Sequence, residues 1–106
     1  MNRMNALLAT RRAARQEQAD ESVARILEDA RRHGLDLLVV GSLGKGDFRL
    51  HSDVDLLVRG AITPARRALA ERLVAQHLRH TGLPYDLLFE ADLSPDRLAD
   101  LLHDLV

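Results

Sequence analysis

Residues 41–58 read GSLGKGDFRLHSDVDLLV, and this stretch decides the fold. It follows the apolar run LDLLVV of residues 35–40, which has a glycine on each side and predicts a buried strand. It ends with DVDLLV, residues 53–58, which we predict to be a second strand. The connection between them is rich in turn residues and too short for a helical crossover, so the two strands are expected to be antiparallel neighbours.

Asp53 and Asp55 are candidate metal ligands within this stretch. Side chains two residues apart on a strand project from one face, and these two precede an apolar run. Carboxylates beside a core are costly unless a cation neutralises them, and oxygen ligands alone favour Mg²⁺. Asp86, in a third apolar run, can face the same point if the strands pair. Three such acids suit a two-metal site for displacement at phosphorus. Taken singly, each acid also fits a turn or strand-edge residue.

Gly41 and Ser42 follow the first strand directly and are candidate nucleotide-binding residues. Glycine permits close approach of the backbone to a ligand, and serine offers a hydroxyl to phosphate oxygens. Lys45 and Arg49 supply cations that can meet a triphosphate, although solvated loop charges explain them equally well. The loop is not of the Walker type, because neither Ser nor Thr follows Lys45.

The rest of the chain predicts helices around a small sheet. Residues 5–33 are rich in helix-forming residues, Thr63-Pro64 and Ser94-Pro95 are typical helix starts, and residues 84–89 predict a third strand. The predicted order is α-β-β-α-β-α in one domain spanning 1–106, with a catalytic core at 35–106 and a mixed sheet of the α/β (α+β) class. The predicted inward-facing residues are Val23, Ile26, Leu27, Ala30, Ala68, Leu69, Leu73, Leu78, Leu98, Leu101, Leu102 and Leu105.

Composition narrows the function classes. The net charge is −1 and aromatic residues make up 3% of the chain, so neither a basic field nor a stacking platform for nucleic acid is expected. Cysteine is absent, which excludes disulfides and thiolate chemistry. No stretch predicts a signal peptide or a membrane span, so a cytoplasmic location is expected. His77 and His80 lack an acidic partner in sequence and are predicted to be surface residues.

The Gly41-Ser42 pair, Gly46, the run Ser52-Asp53-Val54-Asp55-Leu56 and Asp86 together resemble the polymerase-β-like nucleotidyltransferase superfamily. Its signature is a Gly-Ser followed about ten residues later by Asp-X-Asp, with a third acid on a later strand. Within it, the chain looks like the minimal nucleotidyltransferase (MNT) type, which includes antitoxins of HEPN/MNT toxin–antitoxin systems. One departure is Lys45-Gly46, where family loops often carry Arg-Gly, and lysine lacks the bidentate fork of arginine.

The resemblance implies roles for these positions. Asp53, Asp55 and Asp86 would bind Mg²⁺, in two ions, and Asp86 would help to deprotonate the attacking hydroxyl. Gly41, Ser42, Lys45, Arg49 and Ser52 would contact the nucleotide. The substrate would be ATP, the partner a HEPN ribonuclease toxin, and the reaction a transfer of AMP to a tyrosine of that toxin, as in type VII systems.

Three other functions stay open at the level of sequence. A catalytically silent module of the same fold would block its partner by binding alone. A small-molecule nucleotidyltransferase would need a further domain for its acceptor, and none is visible. A regulator that binds RNA or DNA is disfavoured by the near-neutral charge.

Overall fold

The three apolar runs form one sheet. In the computed structural model, which describes residues 3–103, strand β1 is Leu37–Val40, β2 is Val54–Val58 and β3 is Tyr85–Phe89. Strand β2 is central, pairing antiparallel with β1 and parallel with β3. The predicted mixed sheet and the antiparallel first pair are therefore confirmed, and each strand starts one or two residues later than predicted.

Four helices accompany the sheet: α1 is Arg3–Arg32, α2 is Gly41–Lys45, α3 is Pro64–Leu78 and α4 is Pro95–His103. A 3₁₀ turn, Glu90–Asp92, follows β3. The two predicted helix starts are confirmed by their caps. The Thr63 hydroxyl accepts from the backbone N–H of Arg66 at 3.2 Å, and the Ser94 hydroxyl accepts from that of Arg97 at 3.2 Å.

The hydrophobic core lies between one face of the sheet and helices α1 and α3. Alternate residues of β2, namely Val54, Leu56 and Val58, belong to this core cluster. Successive side chains of a strand point to opposite faces. Asp55 therefore projects from the other face, together with Leu57, which is also buried but lies outside the cluster.

Helix α1 is continuous along its 30 residues, from Arg3 to Arg32, which confirms the helix predicted at residues 5–33. Its buried side chains begin only at Ala19 and continue with Ser22, Val23, Ile26 and Ala30. The first half is thus a helical extension in which residues 3–14 are exposed and Arg15 and Gln16 are half-buried. Among residues 3–103, no helix combines the length and the apolarity that a bilayer span requires.

Two details of the prediction need correction, and a third, Leu105, cannot be compared with the structure. Residues 41–45 form a helical turn rather than an irregular connection, because the buried Leu43 anchors that turn to the core despite its glycines. Ala68 is exposed, and the inner face of α3 consists of Ala70, Leu73, Val74 and Leu78, with Leu69 half-buried. Alanine carries little signal of which helix face is apolar. Leu105 lies outside the described residues.

A further correction concerns His77. Its side chain is half-buried, and its Nε2 is hydrogen-bonded to Asp29 Oδ2 at 3.0 Å, joining α3 to α1. The acidic partner is 48 residues away in the chain, which is why local sequence gave no sign of it. His80 is exposed, as predicted.

Candidate active site

The structure brings three predicted carboxylates together. Asp55 in β2 lies directly opposite Asp86 in β3, and Asp53 immediately precedes β2. One carboxylate oxygen from each residue lies within 4.8 Å of the others. Asp53 and Asp86 are exposed and Asp55 is half-buried. The parallel pairing of β2 with β3 is what joins residues more than thirty positions apart into one acidic cluster.

Around Asp55, burial and negative charge outweigh the nearby positive charge. Burial raises the pKa of the Asp55 carboxyl above its ordinary value, and the neighbouring Asp86 and Asp53 raise it further. The guanidinium of Arg97 acts in the opposite direction. Three oxygen donors that repel one another and converge on one point fit a hard divalent cation such as Mg²⁺. The residues present therefore match the metal that the sequence predicts.

Position 41 requires glycine, because the backbone there lies directly against the side chain of Asp55. The φ of Gly41, +66°, lies in the left-handed region, which favours glycine. A Cβ at this position would lie 3.0 Å from Cγ and 3.1 Å from Cβ of Asp55, and would overlap Oδ2. The glycine therefore lets the end of β1 lie directly against the carboxylate. Its role in the signature is at least partly steric.

The remaining predicted nucleotide-binding residues lie in α2 and in the connection that follows it. Ser42 is the second residue of α2 and is half-buried, while Lys45, its last residue, is exposed. The Ser52 hydroxyl accepts from the Arg49 backbone N–H at 2.9 Å, so it closes a turn. The Arg49 guanidinium approaches Asp47 at 3.5 Å and stays largely exposed. Their contact with a nucleotide stays a prediction.

Arg97 is a candidate site residue that the sequence did not reveal. It lies in the first turn of α4, and its charge acts on Asp55 although the two residues are 42 positions apart. The capped start at Ser94-Pro95 predicted the helix, but nothing in the local sequence indicated that Arg97, the one arginine of α4, would act on Asp55. Arg97 can be recognised as a candidate site residue only in the folded chain.

A mixed sheet that holds three converging carboxylates beside a Gly-Ser pair has the arrangement that phosphoryl or nucleotidyl transfer requires. A family model described as a nucleotidyltransferase domain matches residues 21–105. The chain belongs to this nucleotidyltransferase domain family, and its general activity is nucleotidyl transfer. No curated protein and no solved structure matches the chain significantly.

Proposed function

We propose that this nucleotidyltransferase is an antitoxin that transfers AMP from ATP to a tyrosine of a HEPN ribonuclease toxin and thereby silences it. The observation that carries the proposal is the cluster of Asp53, Asp55 and Asp86 beside Gly41. The acceptor assignment rests on the resemblance to MNT-type antitoxins. The donor assignment, ATP, rests on the same resemblance.

The exposure of the site supports a large acceptor. Asp53 and Asp86, at two corners of the cluster, are open to solvent. A small acceptor usually needs a concave pocket that encloses most of its surface and holds it in place. A tyrosine on a folded partner is positioned by the partner's own surface, so an open carboxylate cluster is sufficient for it.

The chain's own residues can perform the steps of the reaction. The three aspartates would hold Mg²⁺, and the ion would supply positive charge to the phosphate oxygens. Arg97, Lys45 and Arg49 would add positive charge where the triphosphate lies. The phenol oxygen forms a bond to the α-phosphorus of ATP. The bond from the α-phosphorus to the oxygen that bridges to the β-phosphate breaks, and pyrophosphate leaves. The phenol proton passes to Asp86.

The test is transfer of label from α-labelled ATP to the partner. The first acceptor to try is a small helical protein with an R-X4-6-H motif encoded beside this gene. We expect a labelled partner with the wild-type chain and Mg²⁺, together with loss of ribonuclease activity. The variant D53N/D55N/D86N should give neither. If it neutralises the ribonuclease as well as the wild type does, the chain acts by binding alone.

Two controls make the result specific. The variant D20N/D36N/D100N removes the same number of charges from exposed positions outside the cluster, and it should transfer label normally. Tyr85 is the single tyrosine of the chain and is 38% exposed. The variant Y85F therefore removes any labelling of the enzyme at its own tyrosine, so that the label that remains can be assigned to the partner.

A further inference from the structure

We infer that Arg15, in the exposed half of α1, is a positioning residue for the metal-binding segment. Its Nη2 donates to the backbone carbonyl of Ser52 at 3.0 Å, across 37 positions of sequence. That carbonyl belongs to the peptide bond that leads into Asp53. The inference rests on the metal role proposed for Asp53, and it assigns to α1 a part in forming the site.

Asp53 is held from both sides by backbone contacts. On one side Arg15 binds the Ser52 carbonyl, and on the other the Val54 N–H donates to the Pro84 carbonyl at 2.9 Å. The second contact joins the start of β2 to the segment that leads into Asp86. Of these two anchors, the one from Arg15 does not come from the sheet itself. Ser52 is also held within its own turn, where its N–H donates to the Arg49 carbonyl at 3.2 Å, and Arg15 is what ties this turn to α1.

The same arginine also covers the loop that leads to Asp53. Its guanidinium carbon lies 5.6 Å from the centre of the Phe48 ring, which is 1% exposed. Arg12, one turn earlier in α1, directs its Nε at the Phe48 carbonyl at 3.4 Å and its guanidinium at Asp47 at 3.9 Å. Two arginines of one helix thus contact the loop from residue 47 to residue 52.

The burial of Arg15 argues against an incidental surface contact. Its Nε is buried and has no hydrogen-bond partner within residues 3–103. A buried donor left unpaired is unfavourable, and such groups are rare in folded proteins. Since the folded chain tolerates this cost, favourable contacts of Arg15 must offset it, and its contacts with Phe48 and Ser52 are of this kind. Both lie outside α1, in the segment that carries Asp53.

Arg12 and Arg15 precede the part of the chain that the family model matches, which begins at residue 21. The matched region contains the acids, the Gly-Ser turn and the sheet. The arginine contacts are therefore a feature of this chain's helical extension, beyond the matched domain. We expect the extension to tighten a site whose ligands the matched domain already provides.

The test is a titration of the full chain with Mn²⁺. The electron paramagnetic resonance signal of the free ion measures how much Mn²⁺ is bound. R15M keeps an apolar stem over Phe48 but removes the donor to Ser52. We expect it to bind Mn²⁺ on the order of tenfold more weakly, as when other partners that orient metal ligands are removed. Hydrogen exchange of the amides of residues 47–53 should become faster in the metal-free protein. R15K, which keeps a cationic donor without the planar fork, should lie between R15M and wild type.

R11M is the matched control, because Arg11 is an exposed arginine of the same extension. It should match the wild type in both measurements. Equal Mn²⁺ affinity in R15M and R11M would overturn the inference, and if R15M does not fold, the comparison of R15K with R11M decides. Mn²⁺ binding needs neither ATP nor a protein acceptor. A chain that binds Mn²⁺ in this pattern but transfers no AMP would refute the proposed function and leave the positioning role intact.

Discussion

At the scale of single residues, Gly41 and Gly46 form a matched pair that separates steric from conformational effects. Both have positive φ, at +66° and +82°, but only a Cβ at Gly41 would meet Asp55, whereas at Gly46 it would meet nothing within 4 Å. We predict that G46A loses about 1–2 kcal/mol of stability, the cost of alanine in a left-handed conformation, and that G41A loses more because its Cβ also overlaps Asp55. Only G41A should also lose Mn²⁺ affinity, by more than about tenfold.

Thermal unfolding and Mn²⁺ titration of the two variants check this prediction. G46A shares the backbone strain, so it corrects for the general destabilisation. If G46A loses metal affinity as severely as G41A does, the loss comes from the loop backbone rather than from displacement of the Asp55 carboxylate.

Asp55 shows why an acidic cluster indicates function rather than stability. Burial and the charges of Asp86 and Asp53 raise the pKa of its carboxyl, so the ionised form is less favourable in the folded chain than in the unfolded one. We predict that D55N melts a few degrees higher than wild type in EDTA at neutral pH. The same variant should lose the stabilisation that Mg²⁺ gives to wild type.

Differential scanning calorimetry with and without Mg²⁺ measures both halves of this prediction. D36N serves as the control, since Asp36 is exposed and lies outside the acidic cluster. An Asp55 variant that is less stable than wild type in EDTA would mean that its carboxylate makes favourable contacts that outweigh the repulsion.

At the scale of elements, the sequence predicts what local chemistry determines. The strands follow from apolar runs bounded by glycine, and the start of α3 follows from Thr63-Pro64, because both signals act within a few residues. The helical turn α2 was not predicted, since Leu43 is buried in a core cluster whose other members lie mostly far away in the sequence. Glycines in a short segment favour a loop when nothing else is known.

In the candidate site, too, the residues predicted from the sequence are those determined by local geometry. The spacing of Asp53 and Asp55 predicted that both lie on one face of a strand, because strand geometry is regular. Asp86 was predicted to join them because it lies in a third apolar strand. Arg97 and Arg15 could not be found, since each acts on the acidic segment across more than thirty positions and each lies in an ordinary helix. The sequence thus predicts ligands better than the groups that orient or balance them.

The 3₁₀ turn after β3 is an element whose stability should depend on pH. Glu90 accepts from the Gly60 N–H and, at 3.1 Å, from Arg59 Nε, while Asp92 binds Arg67, which also stacks on Phe89. The pKa of Glu90 is lowered most by the hydrogen bond from the Gly60 N–H and next by Arg59. Arg67 lowers the pKa of Asp92. A lowered folded-state pKa gives stability that is present above the ordinary value and lost as pH falls through the folded value.

We therefore predict that the melting temperature of E90Q is below that of wild type at pH 7 and that the difference shrinks below about pH 4.5. Circular dichroism melts from pH 7 to pH 3 in EDTA measure it. The difference between the two chains is the quantity to follow, because protonation of the acidic cluster affects both equally. A difference that stays constant down to pH 3 would show that the Glu90 contacts depend on shape rather than charge.

At the scale of the whole molecule, α1 sets the dimensions. Its 30 residues span about 45 Å at 1.5 Å per residue, close to the 52 Å long axis of the molecule. The half that begins at Ala19 is packed into the core, while residues 3–14 are all exposed, including Met4 at 63%, Leu7 at 50% and Leu8 at 41%. One helix thus joins a core segment to an extension whose arginines contact the domain.

We predict that hydrogen exchange divides this helix in two. Helices without tertiary burial are marginal in water, so amides of residues 3–11 should exchange at least about tenfold faster than those of residues 22–32. Exchange should slow again near Arg12 and Arg15, where the extension contacts the loop before Asp53. Mass spectrometry of the exchanged full chain at two protein concentrations gives the measurement. Uniform protection along α1 that increases with concentration would show instead that Met4, Leu7 and Leu8 are covered by a second copy of the chain.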